Sequence, residues 1–244
     1  MKKNLWLAVL IMTVSLVSVS FTNATNPNNK NEAAITSMTD SSANDAEVAL
    51  STMLYEDLQL DEVGLSLETV AYAVNGYQKL EEQGQVKSPY LTIVDFSQSS
   101  RKKRFYIIDM QNQKLVWNTF VSHGKNSGVD MATRFSNAVG SEASSLGFYV
   151  TKGTYVGKHG LSLRISGKED GFNDNAEARA VVVHGADYVN PGRVNSAYMG
   201  RSQGCPALPM SEYAAVINII KGGSVMFLYA PKDNYLKNSQ LIRG

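Results

Sequence analysis

Cys205 is the only cysteine among the 244 residues, and it lies in Gly200-Arg201-Ser202-Gln203-Gly204-Cys205-Pro206, with His184-Gly185 upstream. A thiolate is a strong nucleophile near neutral pH when an imidazole or a helix terminus stabilises the anion. The pair points to acyl transfer: Cys205 attacks a peptide carbonyl, His184 takes and returns the proton, and a backbone carbonyl such as that of Gly185 orients the second ring nitrogen. Gly204 lets the backbone approach closely, so the N–H groups of Gly204 and Cys205 are candidates for an oxyanion hole. Pro206 offers no N–H, but its fixed φ helps to hold the loop. Ser202 and Gln203 are candidate contacts to the substrate or to the tetrahedral oxygen.

Other chemistries fit these residues less well. Gly200-Arg201-Ser202-Gln203-Gly204 matches a serine nucleophile elbow, but that order needs a histidine after the serine. The three histidines, His123, His159 and His184, all precede it. The same histidines with Asp187 are a candidate zinc set, yet no His-Glu-x-x-His spacing is present. His123, in a Gly/Asn loop after a strand, reads as a substrate-pocket or loop-stabilising residue. The structural alternatives are a buried inert cysteine and a strand-end histidine.

The residues around this site are consistent with export. Lys2 and Lys3, the apolar run from Leu5 to Val19 and the small residues of Thr22-Asn23-Ala24 read as a signal peptide over residues 1–24. No cysteine follows the apolar run, so a lipobox is excluded and no stable transmembrane segment is expected after cleavage. With one cysteine there is no internal disulfide, so a sizeable core must supply stability. The net charge is +1, with 23 basic and 22 acidic side chains, which excludes a nucleic-acid footprint. Arg101-Lys102-Lys103-Arg104 reads as a solvated edge or turn.

Residues 25–45, rich in Asn, Ser, Thr and Ala, read as a flexible tether. Helices are expected over 46–58 and 66–82, the second capped by Ser66 and presenting Leu67, Val70, Ala71, Val74 and Tyr77 on one face. They form an N-terminal helical layer (46–89) on the domain that follows. From Tyr90 the pattern turns to short β runs at 91–96, 104–109, 115–121, 147–151, 161–165, 180–184 and 224–229, with a hairpin turn over 109–114 and one helix over 211–220. The 180–184 run reads as a central strand that delivers His184 at its end. A mainly β domain over 90–231 and a C-terminal tail over 232–244 complete the organisation.

Five stretches carry a family resemblance: SHGKNSG at 122–128, ATRFSNAVGSEASSLGFY at 132–149, YVGKHGLSLRISG at 155–167, VVVHGADYV at 181–189 and GRSQGCPALP at 200–209. Residues 90–231 thereby resemble the murein L,D-transpeptidase catalytic domain family (YkuD-like). The resemblance implies a β-sandwich-like fold. It also implies a cysteine that attacks the L-to-D bond after the third residue of a peptidoglycan stem, releases D-alanine and passes the acyl group to an amine of another stem or of an envelope protein. By motif, Cys205 is the nucleophile, His184 the base and the Gly185 carbonyl the orienter. The common pattern Ser-His-Gly-Cys is Ser202-Gln203-Gly204-Cys205 here, so a second histidine near the cysteine is lost. The Ser or Thr usual after the base is Gly185.

No cofactor is called for, and a periplasmic or cell-envelope location follows from the leader. Arg193 and Arg201 can pair with a stem-peptide carboxylate through the guanidinium fork. Tyr188 and Tyr198 are candidates to line the groove. Two other readings stand beside the transpeptidase: an L,D-carboxypeptidase in which water resolves the thioester, and a catalytically silent wall-binding module.

Overall fold

The computed structural model describes residues 48–243. The expected signal peptide, the tether and the first two residues of the first helix lie outside them. The described chain begins helical over 48–57 (α1) and continues into α2 (Leu67–Glu82). Ser66 caps α2 as its sequence position demands, with extended backbone and a side chain that accepts from Thr69 N. The buried face is Val70, Ala73, Val74, Tyr77 and Leu80, one step round from the expected one, and Leu67 is exposed. The reason is Gly76: a Cβ there would stand 2.0 Å from Phe148 Cζ, so the helix is turned to seat Phe148 against bare backbone.

The strands are β1 (Tyr90–Asp95), β2 (Phe105–Asp109), β3 (Lys114–Thr119), β4 (His123–Gly124), β5 (Gly147–Gly157), β6 (Gly160–Gly167), β7 (Val182–Ala186), β8 (Arg201–Ser202), β9 (Ala207–Pro209) and, after helix α3 (Tyr213–Ile220), β10 (Val225–Tyr229). Eight form one mixed sheet in the order β3-β2-β1-β10-β5-β6-β7-β9, and β4 pairs with β8 alone. The fold is mainly β, as expected, with a single sheet that nearly closes on itself. Trp117 Nε1 of β3 donates to Glu212 Oε2 just beyond β9 at 2.8 Å, and Ser122 N donates to Ala207 O of β9 at 2.9 Å, so the two ends of the strand order meet. Closure of this kind protects edge strands.

β1 lies between β2 and β10 and is buried from Leu91 onward, with α2 and α3 in contact with it, so it reads as a near-continuous apolar run. The helices and the sheet share one core, in which Phe148 and Phe227 stack with ring centroids 4.2 Å apart.

Three expectations are corrected. The 180–184 run is strand only from Val182, and β7 is next to last in the sheet, so His184 sits mid-strand near one end of the order rather than at the tip of a central strand. Arg104 is not on a solvated edge: it is fully buried, while Arg101, Lys102 and Lys103 stay exposed. The residues after 231 do not trail away. They form α4 (Asp233–Asn238), bury Tyr235, Leu241 and Ile242, and enclose the carboxylate of Glu169, which accepts from Phe148 N (2.7 Å), Tyr235 OH (2.8 Å) and Ser239 Oγ.

Candidate active site

The residues singled out by sequence converge where a loop crosses between two short strands. Residues 203–206 connect β8 to β9. β8 pairs in parallel with β4, His123 opposite Arg201, and β9 pairs in parallel with β7, His184 opposite Ala207. The cysteine loop is therefore slung between two His-Gly strands. Gly204, at φ +118°, makes the turn; a Cβ there would lie 2.9 Å from Ala143 O and 3.2 Å from Arg179 Nη2.

Ser202 closes the loop from inside. Its Oγ donates to Cys205 O at 2.6 Å and accepts from Gly204 N at 3.1 Å. The Gly204 N–H expected as an oxyanion donor is thus engaged within the loop. Ser144 Oγ accepts from Gly124 N at 3.0 Å and donates to Gly204 O at 3.3 Å, which ties the loop to β4.

Cys205 Sγ accepts from Val182 N at 3.4 Å and donates to Ala180 O at 3.8 Å; no hydrogen bond joins it to the His184 ring. Burial pushes the thiol up, and the Val182 N–H and the Arg179 guanidinium pull the other way. His184 is buried, and its Nδ1 lies 2.8 Å from Gly185 O. A carbonyl only accepts, so Nδ1 carries the hydrogen and Nε2 keeps its lone pair. Burial draws this imidazole below its ordinary value; the Gly185 carbonyl opposes that, and His159 and Lys158 reinforce it. A protonated thiol and a neutral imidazole are the protonation states from which a general base works.

Both residues line a cavity of about 610 Å³, together with Lys125, Lys158, Arg179 and Arg201. No Asp or Glu is among the described residues that line it. Ser202, Gln203 and Tyr188 also face it, and burial pushes the Tyr188 phenol up to about 12. Arg201 is aimed by Nη1 donating to Lys125 O and Gly128 O, both at 3.2 Å, with its guanidinium 4.8 Å from the Tyr198 ring centre.

Two sequence candidates lie elsewhere. His123 is fully buried, and its Nδ1 is 2.8 Å from Arg104 Nη2. Arg193 ends a 3₁₀ turn (Pro191–Arg193) near Tyr198 and does not line the cavity. Sequence reasoning missed Arg179. Its Nη1 donates to Ser136 O (2.7 Å) and Ser145 Oγ (3.2 Å), and its Nη2 to Ala143 O (2.5 Å) and Ser141 Oγ (3.1 Å), so it fastens the 136–145 loop beside Gly204 and Cys205. An arginine with no motif around it gives no one-dimensional signal.

Residues 61–229 match the family model described as L,D-transpeptidase catalytic domain (YkuD_2). The chain belongs to this family. No curated protein matches it. Among solved structures, the chain is similar to an L,D-transpeptidase from Mycobacterium smegmatis (14% identity, 59% of each chain covered, TM-score 0.36) and to one from Mycobacterium tuberculosis H37Rv (12%, 58% of each, TM-score 0.34). It is also similar to an L,D-transpeptidase (Yku) from Stackebrandtia nassauensis (13%, 77% of this chain and 92% of that one, TM-score 0.33). The chain spans under three fifths of the length of the two mycobacterial proteins. Membership of the L,D-transpeptidase family rests on the family model.

Proposed function

We propose that this chain is a cysteine-dependent peptidoglycan L,D-transpeptidase that acts in the periplasm or cell envelope. The observation that carries the reading is the His184 ring, held through Nδ1 by the Gly185 carbonyl while it shares a cavity with Cys205. Cys205 Sγ attacks the carbonyl of the third stem residue, and His184 Nε2 takes the thiol proton. The tetrahedral intermediate collapses with cleavage of the L-to-D amide. The same proton passes to the leaving amine, D-alanine departs, and the thioester remains. An acceptor amine then attacks the thioester, again losing its proton to His184, and the thiol is released. With Gly204 N–H engaged by Ser202, the Cys205 N–H is the donor we assign to the oxyanion.

The cavity wall suits such a donor. Four cationic side chains, of which Lys125 alone is paired with a carboxylate (Glu142, 2.7 Å), favour a substrate rich in carboxylates, which a stem peptide is. Arg201, already aimed by two carbonyls, is the residue we assign to a stem carboxylate; Tyr188, Ser202 and Gln203 complete the wall. The leader supports export. Among the described residues no helix is long and apolar enough to cross a membrane.

Intact-mass spectrometry of the mature protein and its Cys205→Ser variant, mixed with tetrapeptide muropeptides, tests this. An acyl adduct in the wild type alone, with cross-linked dimers, is expected. The same adduct with tripeptide as the only product would make the chain a carboxypeptidase. Muropeptide binding with neither adduct nor product would make it a wall-binding module.

A further inference from the structure

Gln203 stands two residues before Cys205, so the cysteine loop itself carries no histidine. The structure brings another histidine to the site by a different route. β5 and β6 form a hairpin whose last pair is Gly157 and Gly160, leaving Lys158 and His159 as its two-residue tip. Gly160, at φ +72°, supplies the left-handed residue that closes the turn. β6 pairs with β7 so that Ser162 stands opposite His184, which directs the tip over the cavity. The His159 ring stacks on the His184 ring, with centroids 4.5 Å apart and planes inclined by 29°.

A second contact couples the hairpin to the orienting carbonyl. Tyr213, the first residue of α3, lies beneath both glycines: a Cβ on Gly185 would stand 2.7 Å from its Cγ, and a Cβ on Gly160 would stand 3.1 Å from its hydroxyl oxygen. The closing glycine of the tip and the glycine whose carbonyl holds His184 Nδ1 thus rest on one aromatic ring.

We propose that His159 is a positioning residue for His184, carried on the hairpin tip so that its ring stacks on the base and holds it in the plane set by the Gly185 carbonyl. The proposal rests on the reading of His184 as the general base. An imidazole anchored through Nδ1 alone can still swing about that bond, and a flat ring against its face removes the freedom. Stacking also places electropositive groups beside the base. His159 and Lys158 both disfavour a proton on His184, keeping Nε2 free to accept one. The other titratable or charged groups at the cavity are Cys205, Arg179, Tyr155, Tyr188, Lys125 and Arg201, and no carboxylate faces His184 there.

The test compares wild type, His159→Ala and His159→Phe by kcat and KM on tetrapeptide muropeptides across pH, and by the rate of Cys205 alkylation by iodoacetamide across pH. His159 is exposed, so both variants are expected to fold, with the thermal midpoint as control. His159→Ala is expected to lower kcat by about tenfold with KM little changed. His159→Phe keeps a flat ring and is expected to restore most of that loss. Both variants remove one electropositive neighbour, so the acid limb of turnover and of alkylation moves to higher pH. An unchanged kcat and an unmoved acid limb in His159→Ala would overturn the proposal. Equal losses in Ala and Phe with the acid limb in place would also overturn it. Absence of wild-type turnover would sink the transpeptidase reading instead, and the alkylation profiles would still decide the role of His159.

Discussion

Two His-Gly strands flank the Cys205 loop, and they do different things with the same dipeptide. His123-Gly124 on β4 and His184-Gly185 on β7 are both buried, and each pairs in parallel with one side of the Cys205 loop. The difference is the partner at Nδ1. Arg104 Nη2 can only donate, so His123 Nδ1 must accept, its hydrogen sits on Nε2, and the ring has no lone pair left to take a proton. The Gly185 carbonyl can only accept, so His184 carries its hydrogen on Nδ1 and offers Nε2 to the cavity. A neighbour's hydrogen-bonding sense, rather than residue type or burial, separates a structural histidine from a candidate base.

The largest effect should come from substituting the two rings in parallel. His184→Gln is expected to lower turnover by about 10²- to 10⁴-fold, the range of general-base catalysis, while the unfolding midpoint stays near that of the wild type. His123→Gln should do the reverse: activity of the same order as wild type, with stability lower by about 1–3 kcal/mol as the buried Arg104 contact is disturbed. Steady-state kinetics and denaturant unfolding on the two variants check both halves. A turnover loss at His123 as large as that at His184 would erase the distinction.

This asymmetry also marks how much of the molecule was legible in one dimension. The lone Cys205, the His184-Gly185 pair and the β periodicity are local patterns, and they led to the mainly β fold and to two residues that the structure brings into one cavity. Arg104 was not legible, because a buried guanidinium inside a basic run looks like the solvated residues beside it. Its burial depends on two backbone carbonyls, Gln98 O and Val121 O, and on the Phe96 ring 5.0 Å away, none of which a sequence pattern reports. Nor was the last stretch: α4 is six residues long, and it is held by Glu169, which lies 66 residues before Tyr235. His159 fell among three scattered histidines until the β5–β6 register put it over His184.

Arg104 offers the second way to break the comparison. Arg104→Met keeps the apolar stem but strips the donors from Val121 O, Gln98 O and His123 Nδ1. At about 1–3 kcal/mol for each of the three stranded acceptors, the loss should be at least about 3 kcal/mol, read as a lower unfolding midpoint. Burial already lowers this guanidinium to about 9, so it remains charged at neutral pH and keeps its donor role.

Acid should reveal the buried ring directly. Burial, then Arg104, draws His123 down from its ordinary 6.5 to about 4. Between those values the unfolded chain binds a proton that the folded chain does not, so stability rises with pH across the window and is lost as pH falls towards 4. The contribution is up to about 1.4 kcal/mol for each pH unit. Buried Glu169, whose carboxyl is raised, slopes the opposite way, but it is common to wild type and variant and cancels in their difference. Unfolding free energies at several pH values between 4 and 7 should therefore show a shallower acid loss in His123→Gln. Parallel curves would mean that His123 titrates in the folded state as it does in the unfolded one.

The smallest effect should come from the loop between the two strands. Ser202 Oγ joins Gly204 N to Cys205 O, and Ser144 Oγ joins Gly204 O to Gly124 of the other His-Gly strand, so the Cys205 loop is stiffened from within and from the His123 side. Ser202→Ala removes the inner pair and leaves the Ser144 tie, which predicts a stability loss of about 1 kcal/mol. Turnover should fall by less than about tenfold, because the lost rigidity is partly offset by release of the Gly204 N–H, which can then turn towards the oxyanion. Ser202→Thr, which keeps the hydroxyl, should stay near wild type in both measurements. A Ser202→Ala variant as slow as His184→Gln would move the hydroxyl from the scaffold into the chemistry, and the comparison would have to be redrawn around three groups instead of two.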